Sequence, residues 1–289
     1  MLRYRLPIGT LLVALLVLAG AGEHYWLPPG AVLVPVAVLL SLAAAAETRQ
    51  LLQPHGAAPW RPLALVPAAL LVASPGVGWY LVPDWELPGL AAGVLVVLVV
   101  GLLVSAVWEY EPEQKNTLRL AGAAFVLLYA GGTLCCLVLL RYTGPEGKPT
   151  WGVPLILTTV LVVKSGDIGA YTLGRLLGRR KLVPRLSPGK TWAGAFGAVL
   201  LALAVSWACF RFLLPQDCPL RSCPLAPWAF GLVIAVTGIL GDLVESLLKR
   251  DAGVKDSGSW IPGFGGVLDL LDSIQLASPV ALLFFRLAL

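Results

Sequence analysis

The chain has 289 residues, of which 58% are hydrophobic and 13% charged, with a mean hydropathy of +0.83 and a net charge of +5. An ordinary soluble domain carries roughly 45–50% apolar and about 25% charged residues, so this composition excludes that class. The basic excess requires no nucleic-acid partner, because cations beside a membrane attract anionic head groups at about 1 kcal/mol each.

Windows of about 20 apolar residues, enough to cross about 30 Å of hydrocarbon, recur along the whole chain. They predict spans near 8–22, 30–46, 62–81, 90–108, 120–140, 151–173, 191–212, 228–248 and 268–289. A soluble helical protein would need polar faces at helical period, and these windows lack them. The expected fold class is therefore all-α, a polytopic integral membrane protein with about nine transmembrane helices. It reads as a single membrane domain over 1–289, with N-terminal spans over about 1–140 and a catalytic-type core over about 151–289.

The first segment, MLRYRLPIGTLLVALLVLAG, has the basic start and apolar run of a signal peptide. The following EHYWLPPG lacks a small-x-small cleavage site and further spans follow at once, which predicts a retained first span with a cytoplasmic N terminus. Alternate loops then face the cytoplasm, and the basic residues agree with that orientation. Inside fall Arg3, Arg5, Arg49, Arg61, Lys115, Arg119, Lys164, Arg175, Arg179, Arg180, Lys181, Arg185, Lys190, Lys249, Arg250 and Lys255, which is 16 of 21. Arg141, Lys148, Arg211, Arg221 and Arg286 are left outside. A multi-pass protein of the cytoplasmic membrane is expected. Cys135, Cys136 and Cys209 lie in apolar spans as packing residues, whereas Cys218 and Cys223 share an outside loop where an oxidising compartment would let them pair.

Two cytoplasmic blocks carry polar chemistry. In the first, 164–194, Lys164, Asp167 and Tyr171 are spaced i, i+3, i+7 and share one helix face at the inner end of an apolar span. That pattern fits a snorkelling lysine with a paired aspartate, and it also fits a functional site, the default for ionisable groups at membrane depth. The turn Ser187-Pro188-Gly189-Lys190-Thr191 opens the next span, and amides at a helix start beside Lys and Thr suit a phosphate. It is not a Walker A loop, since Pro184 stands where the first glycine would be.

The second block, SLLKRDAGVKDSGSWIPGFGGVLDLLD over 246–272, packs three cations and four carboxylates into 27 residues. Asp242, Ser246 and Lys249 line one face of the eighth span, and Asp269 and Asp272 lie i, i+3 at the start of the ninth. Carboxylates from two adjacent helices would make an oxygen site for Mg²⁺ together with substrate phosphates, which Lys249 and Lys255 would neutralise. Interhelical salt bridges and a flexible loop are the plainer use of the same residues.

These residues resemble the phosphatidate cytidylyltransferases, the CDP-diacylglycerol synthases of phospholipid synthesis. The resemblance rests on Ser246…Lys249-Arg250, Lys255-Asp256-Ser257-Gly258, Ile261-Pro262-Gly263, Gly265-Gly266 and Asp269…Asp272. Upstream, Asp167-Ile168-Gly169-Ala170-Tyr171, Gly174-Arg175, Gly178, Lys181-Leu182, Pro184, Ser187-Pro188, Lys190-Thr191-Trp192 and Gly194 are similar to a second region of that family. The resemblance implies that CTP and phosphatidate, or a similar lipid phosphate, react with Mg²⁺ to give CDP-diacylglycerol and pyrophosphate at the surface of membrane lipids. It implies Asp242, Asp269 and Asp272 as metal ligands and Lys249, Lys255 and Asp256 as catalytic residues. Asp167, Tyr171, Ser187, Lys190, Thr191, Ser246, Arg250, Gly265 and Gly266 are then the substrate-binding set. A homodimer is left open.

Three positions depart from the family pattern. Phe264 replaces a histidine before Gly265-Gly266, Leu270 replaces an arginine after Asp269, and Ala193 replaces a glutamate after Trp192. Each removes a polar or charged group, so another lipid phosphate acceptor, a CTP-dependent lipid kinase and a catalytically impaired scaffold stand as alternatives.

Overall fold

The structure, a computed structural model, describes residues 22, 27–82, 86–145, 150–258 and 265–289. The expected span 8–22 (all but Gly22) with Arg3 and Arg5, the outside Lys148, and Ile261, Pro262, Gly263 and Phe264 lie outside the described residues.

Among the described residues, eight helices are long and apolar enough to cross a membrane, and they coincide with the second to ninth expected spans. In chain order they are α1 (Leu33–Leu52, extended by a 3-10 turn Gln53–His55), α2 (Arg61–Leu81), α3 (Leu87–Trp108) and α4 (Asn116–Arg141). Then follow α5 (Gly152–Leu177), α6 (Trp192–Ala208, running on through Leu213), α7 (Ala226–Asp251) and α8 (Leu268–Ala288). Between α5 and α6 stands an antiparallel hairpin of β1 (Lys181–Val183) and β2 (Ser187–Thr191). The protein is a multi-pass, all-α membrane protein that also carries this small hairpin.

Two corrections to the expected boundaries matter for chemistry. The second span was expected to end at 46, before Glu47-Thr48-Arg49, but α1 continues to Leu52 and carries Glu47 inside the fold. The turn expected at Ser187–Thr191 is strand β2, and α6 begins directly after it. Thr191 caps that helix: its hydroxyl accepts from Gly194 N at 3.1 Å, satisfying one of the orphan amides of the first turn.

The chain forms two compact units, one from Met1–Leu139 with Asp251–Leu270 and the other from Leu140–Arg250 with Leu271–Leu289. In the first, α1, α2 and α4 pack through small residues. Ala44, Ala45, Ala68 and Ala130 are fully or almost fully buried, and Ser41 Oγ donates to Ala130 O at 3.1 Å. A side chain at Gly131 would stand 2.9 Å from Ala68 Cα, so α2 and α4 approach as only small residues permit. Helix α3 instead exposes Val96, Val97, Val100, Leu103 and Val104, the surface expected toward lipid.

In the second unit α5 and α6 cross at Gly169 and Gly197, each of which would drive a side chain into the other's backbone carbonyl. Phe210, Phe230 and Phe285 stack in its core, with ring centroids 4.8–6.4 Å apart. Cys218 and Cys223 are free thiols, the first buried and the second exposed, so the expected option of a disulfide between them is not realised.

Candidate active site

In the second unit the polar faces of three helices and one strand converge. Helix α7 presents Asp242, Glu245 and Lys249 at i, i+3 and i+7, one face by helical geometry. Helix α8 contributes Asp272 and Ser273, α5 contributes Lys164 and Asp167, and β2 contributes Lys190. Glycine makes the close approach of α7 to α8 possible: a Cβ on Gly241 would strike the carbonyl oxygen of Asp272 and stand 3.1 Å from Ser273 Cα.

Asp242, Glu245 and Asp272 each offer one carboxylate oxygen, and these oxygens lie within 4.8 Å of one another. Around them, Lys190 Nζ is 2.8 Å from Asp242 Oδ2 and Lys249 Nζ is 2.8 Å from Glu245 Oε2. Lys164 Nζ is 3.1 Å from Asp167 Oδ2, and Ser273 Oγ lies 3.1 Å from both Asp167 Oδ1 and Asp272 Oδ1. Four carboxylates thus meet three ammonium groups, leaving the cluster formally at −1. Carboxylates are costly beside hydrocarbon unless paired, and the three lysines supply pairing here. Ligands on opposite sides of one Mg²⁺ stand about 4.2 Å apart, twice an Mg–O distance of about 2.1 Å, so a small contraction of this trio would hold a divalent cation. The donor set, all oxygen, fits such an ion.

Asp269 has different surroundings, in the first unit. Its Oδ2 accepts from Ser257 N at 2.9 Å and Gly266 N at 2.8 Å, and lies 2.9 Å from Ser257 Oγ. Gly265 has φ +102, a conformation that favours glycine, and a Cβ there would come within 2.5 Å of Asp269 Oδ2. Gly266 is equally constrained, since a Cβ would collide with Ser257 Oγ and Glu47 Oε2. These two expected substrate-binding glycines therefore wrap an acidic centre. Lys255 and Asp256 are exposed in the same unit.

The remaining expected residues are placed as follows. Tyr171 is 51% exposed, its hydroxyl accepting from Arg175 Nη1 at 2.9 Å. Ser187 and Ser246 are half-buried, Arg250 is exposed, and Thr191 is buried in its capping role. Lys164, expected to share a functional helix face with Asp167 and Tyr171, is in the cluster, whereas the sequence alone did not point to Glu245, Ser273 or Glu47. For Glu245 the signal was present, since it sits three residues after Asp242 and four before Lys249.

The chain is similar to several known proteins. The chain is 39% identical over 160 residues to the phosphatidate cytidylyltransferase of Haemophilus influenzae, covering 53% of this chain and 54% of the relative. It is 35% identical over 212 residues to the phosphatidate cytidylyltransferase of Bacillus subtilis, covering 71% of each. It is also 39% identical over 150 residues to an uncharacterized protein, YnbB, of Escherichia coli, covering 52% of this chain and 47% of that one. The chain thus spans about half the length of the Escherichia coli and Haemophilus influenzae relatives it matches. Residues 4–288 match the model of the cytidylyltransferase family, and the chain belongs to that family.

Proposed function

We propose that this protein transfers the cytidylyl group of CTP to phosphatidate, giving CDP-diacylglycerol and pyrophosphate in phospholipid synthesis. The observation that carries the proposal is the cluster of Asp167, Asp242, Glu245 and Asp272 with Lys164, Lys190 and Lys249, set among membrane helices in a member of the cytidylyltransferase family. A phosphate oxygen of the lipid attacks the α-phosphorus of CTP. The new P–O bond forms as the bond to the β-phosphate oxygen breaks, and pyrophosphate leaves with that electron pair.

Little covalent chemistry falls to the protein, so its task is to position two anions and stabilise charge. Lys190 and Lys249, now paired with Asp242 and Glu245, are the cations that would turn toward substrate phosphates. Asp242, Glu245 and Asp272 would hold Mg²⁺; a metal role for Asp269 is what the family resemblance alone implies. When bound, that ion would neutralise charge on the triphosphate and the departing pyrophosphate. Acyl chains would remain in the bilayer while the head group meets CTP at the cytoplasmic face, the side on which the excess of basic loop residues leads us to expect this cluster.

The test is purified protein in lipid nanodiscs with labelled CTP, Mg²⁺ and phosphatidate, scored for labelled CDP-diacylglycerol. Wild type should form product, and Asp272→Asn should lower kcat/KM by at least about 100-fold, the scale of losing one preorganised electrostatic contact. A parallel panel of other lipid phosphates, and a search for phosphorylated rather than cytidylylated lipid, separates the alternatives. Product with another acceptor alone would reassign the substrate, and an unaffected Asp272→Asn would remove Asp272 from the site.

A further inference from the structure

We infer that Glu47 is a positioning residue for the loop whose described arms are 256–258 and 265–268, an inference that rests on the cytidylyl-transfer reading above. Glu47 lies on α1, more than 200 residues upstream of that loop, and is only 2% exposed. Its Oε1 accepts from Val267 N at 2.9 Å and its Oε2 from Leu268 N at 2.8 Å. Oε2 is also 2.8 Å from Ser257 Oγ. One carboxylate therefore grips both arms of the loop, 256–258 through Ser257 and 265–268 through two amides.

The chemistry of each contact favours a carboxylate at this place. Val267 and Leu268 stand where α8 begins, and amides there have no partner within the helix. A negative group at a helix start also meets the positive end of the helix dipole. The Ser257 hydroxyl has one proton and lies between two acids, 2.8 Å from Glu47 Oε2 and 2.9 Å from Asp269 Oδ2. Glu47 thereby acts on Asp269 through Ser257. The packing leaves no slack: a side chain on Gly258 would come 2.7 Å from Glu47 Oε1, and one on Gly266 would collide with Oε2. Glu47 touches none of the reacting groups. It holds in register the loop carrying Lys255, Asp256, Gly265, Gly266 and Asp269.

Replacing the carboxylate by an amide tests this directly. In Glu47→Gln an N–H₂ faces at least one of the three donors, so at least one contact of the clamp is lost. The expected result is a fall in kcat of roughly 10- to 100-fold, the cost of an ångström-scale misplacement, with KM for CTP within about threefold of wild type. Glu47→Asp keeps the charge on a shorter stem and should recover part of that loss. Ser257→Ala should cost less alone, and the double variant Glu47→Gln/Ser257→Ala should be no worse than Glu47→Gln, because the two act in one chain. Amide exchange at 266–268 in Glu47→Gln should accelerate at least about tenfold as the clamp opens. Wild-type kcat in Glu47→Gln, or losses that simply add with Ser257→Ala, would overturn the inference. Failure of the underlying reading is distinct: wild type would then make no CDP-diacylglycerol, while exchange at 266–268 still rose in Glu47→Gln.

Discussion

Gly241 and Gly238 lie three residues apart on α7 and both face Ser273 of α8, yet the structure predicts opposite consequences for adding one methyl group. In Gly241→Ala the new Cβ would overlap the Asp272 carbonyl oxygen and stand 3.1 Å from Ser273 Cα. Carbon atoms rest about 3.5–4.0 Å apart, so the helices must separate locally by roughly 0.4–0.9 Å, the difference from 3.1 Å. Both obstructing atoms are backbone, which cannot swing aside. The overpacking costs about 1–3 kcal/mol, partly offset by about 1 kcal/mol of improved helix propensity. The displacement falls next to Asp242 and at Asp272, so kcat/KM should drop by up to about 100-fold even where the protein remains folded. In Gly238→Ala the nearest atom is Ser273 Cβ at 3.8 Å, an ordinary contact, and that variant should keep activity with unchanged or slightly higher thermal stability. The assay is CDP-diacylglycerol formation by each variant beside its melting curve in one detergent. Equal activities in the two variants would refute the claim that the α7–α8 approach sets the acidic cluster.

Two further outcomes follow from local geometry. Thr191→Val keeps the shape but removes the hydroxyl that accepts from Gly194 N, so it should cost about 1 kcal/mol, read as a lower melting temperature. At the loop before α7, burial pushes the Cys218 thiol up, which keeps it in the unreactive thiol form near neutral pH. Cys223 is exposed, so a membrane-impermeant maleimide added to intact cells should label Cys223 quickly and Cys218 only slowly, the latter gaining as pH rises. Absence of Cys223 labelling until the cells are lysed would reverse the expected orientation.

The helical membrane fold was legible because hydrocarbon imposes one requirement on every span, and about 20 apolar residues satisfy it wherever they occur. Polar sites follow no such uniform rule. Spacing correctly put Asp242 and Lys249 on one face of α7, since 3.6 residues per turn fixes that within a helix. It could not say which faces meet, so Ser273, which lies between Asp167 and Asp272, was invisible. The β hairpin before α6 was missed because Pro188-Gly189 reads as a turn while its antiparallel pairing, Lys181 with Thr191, is a non-local contact. Glu47 was lost for a related reason. An acid followed by Thr48 and Arg49 looks like the end of a span, unless its partners, 210 and more residues away, are known.

The block of 27 residues over 246–272 is divided between the two units. Ser246, Lys249 and Asp272 belong to the unit containing α5 and α6, whereas Lys255, Asp256, Gly265, Gly266 and Asp269 belong to the unit containing α1 and α2. The supports differ accordingly. A tight helix contact at Gly241 positions Asp242 against Asp272, and a buried carboxylate at Glu47 fixes the loop around Asp269. Motif residues adjacent in sequence are therefore sensitive to different distant substitutions. Leu270, where the family pattern has arginine, lies at the end of the first unit and Ala193 at the start of α6 in the second. Each departure removes a charged group that the family pattern carries, so restoring arginine at 270 or glutamate at 193 should raise kcat/KM for CDP-diacylglycerol formation. Unchanged kcat/KM in both restored variants would show that neither missing charge limits turnover.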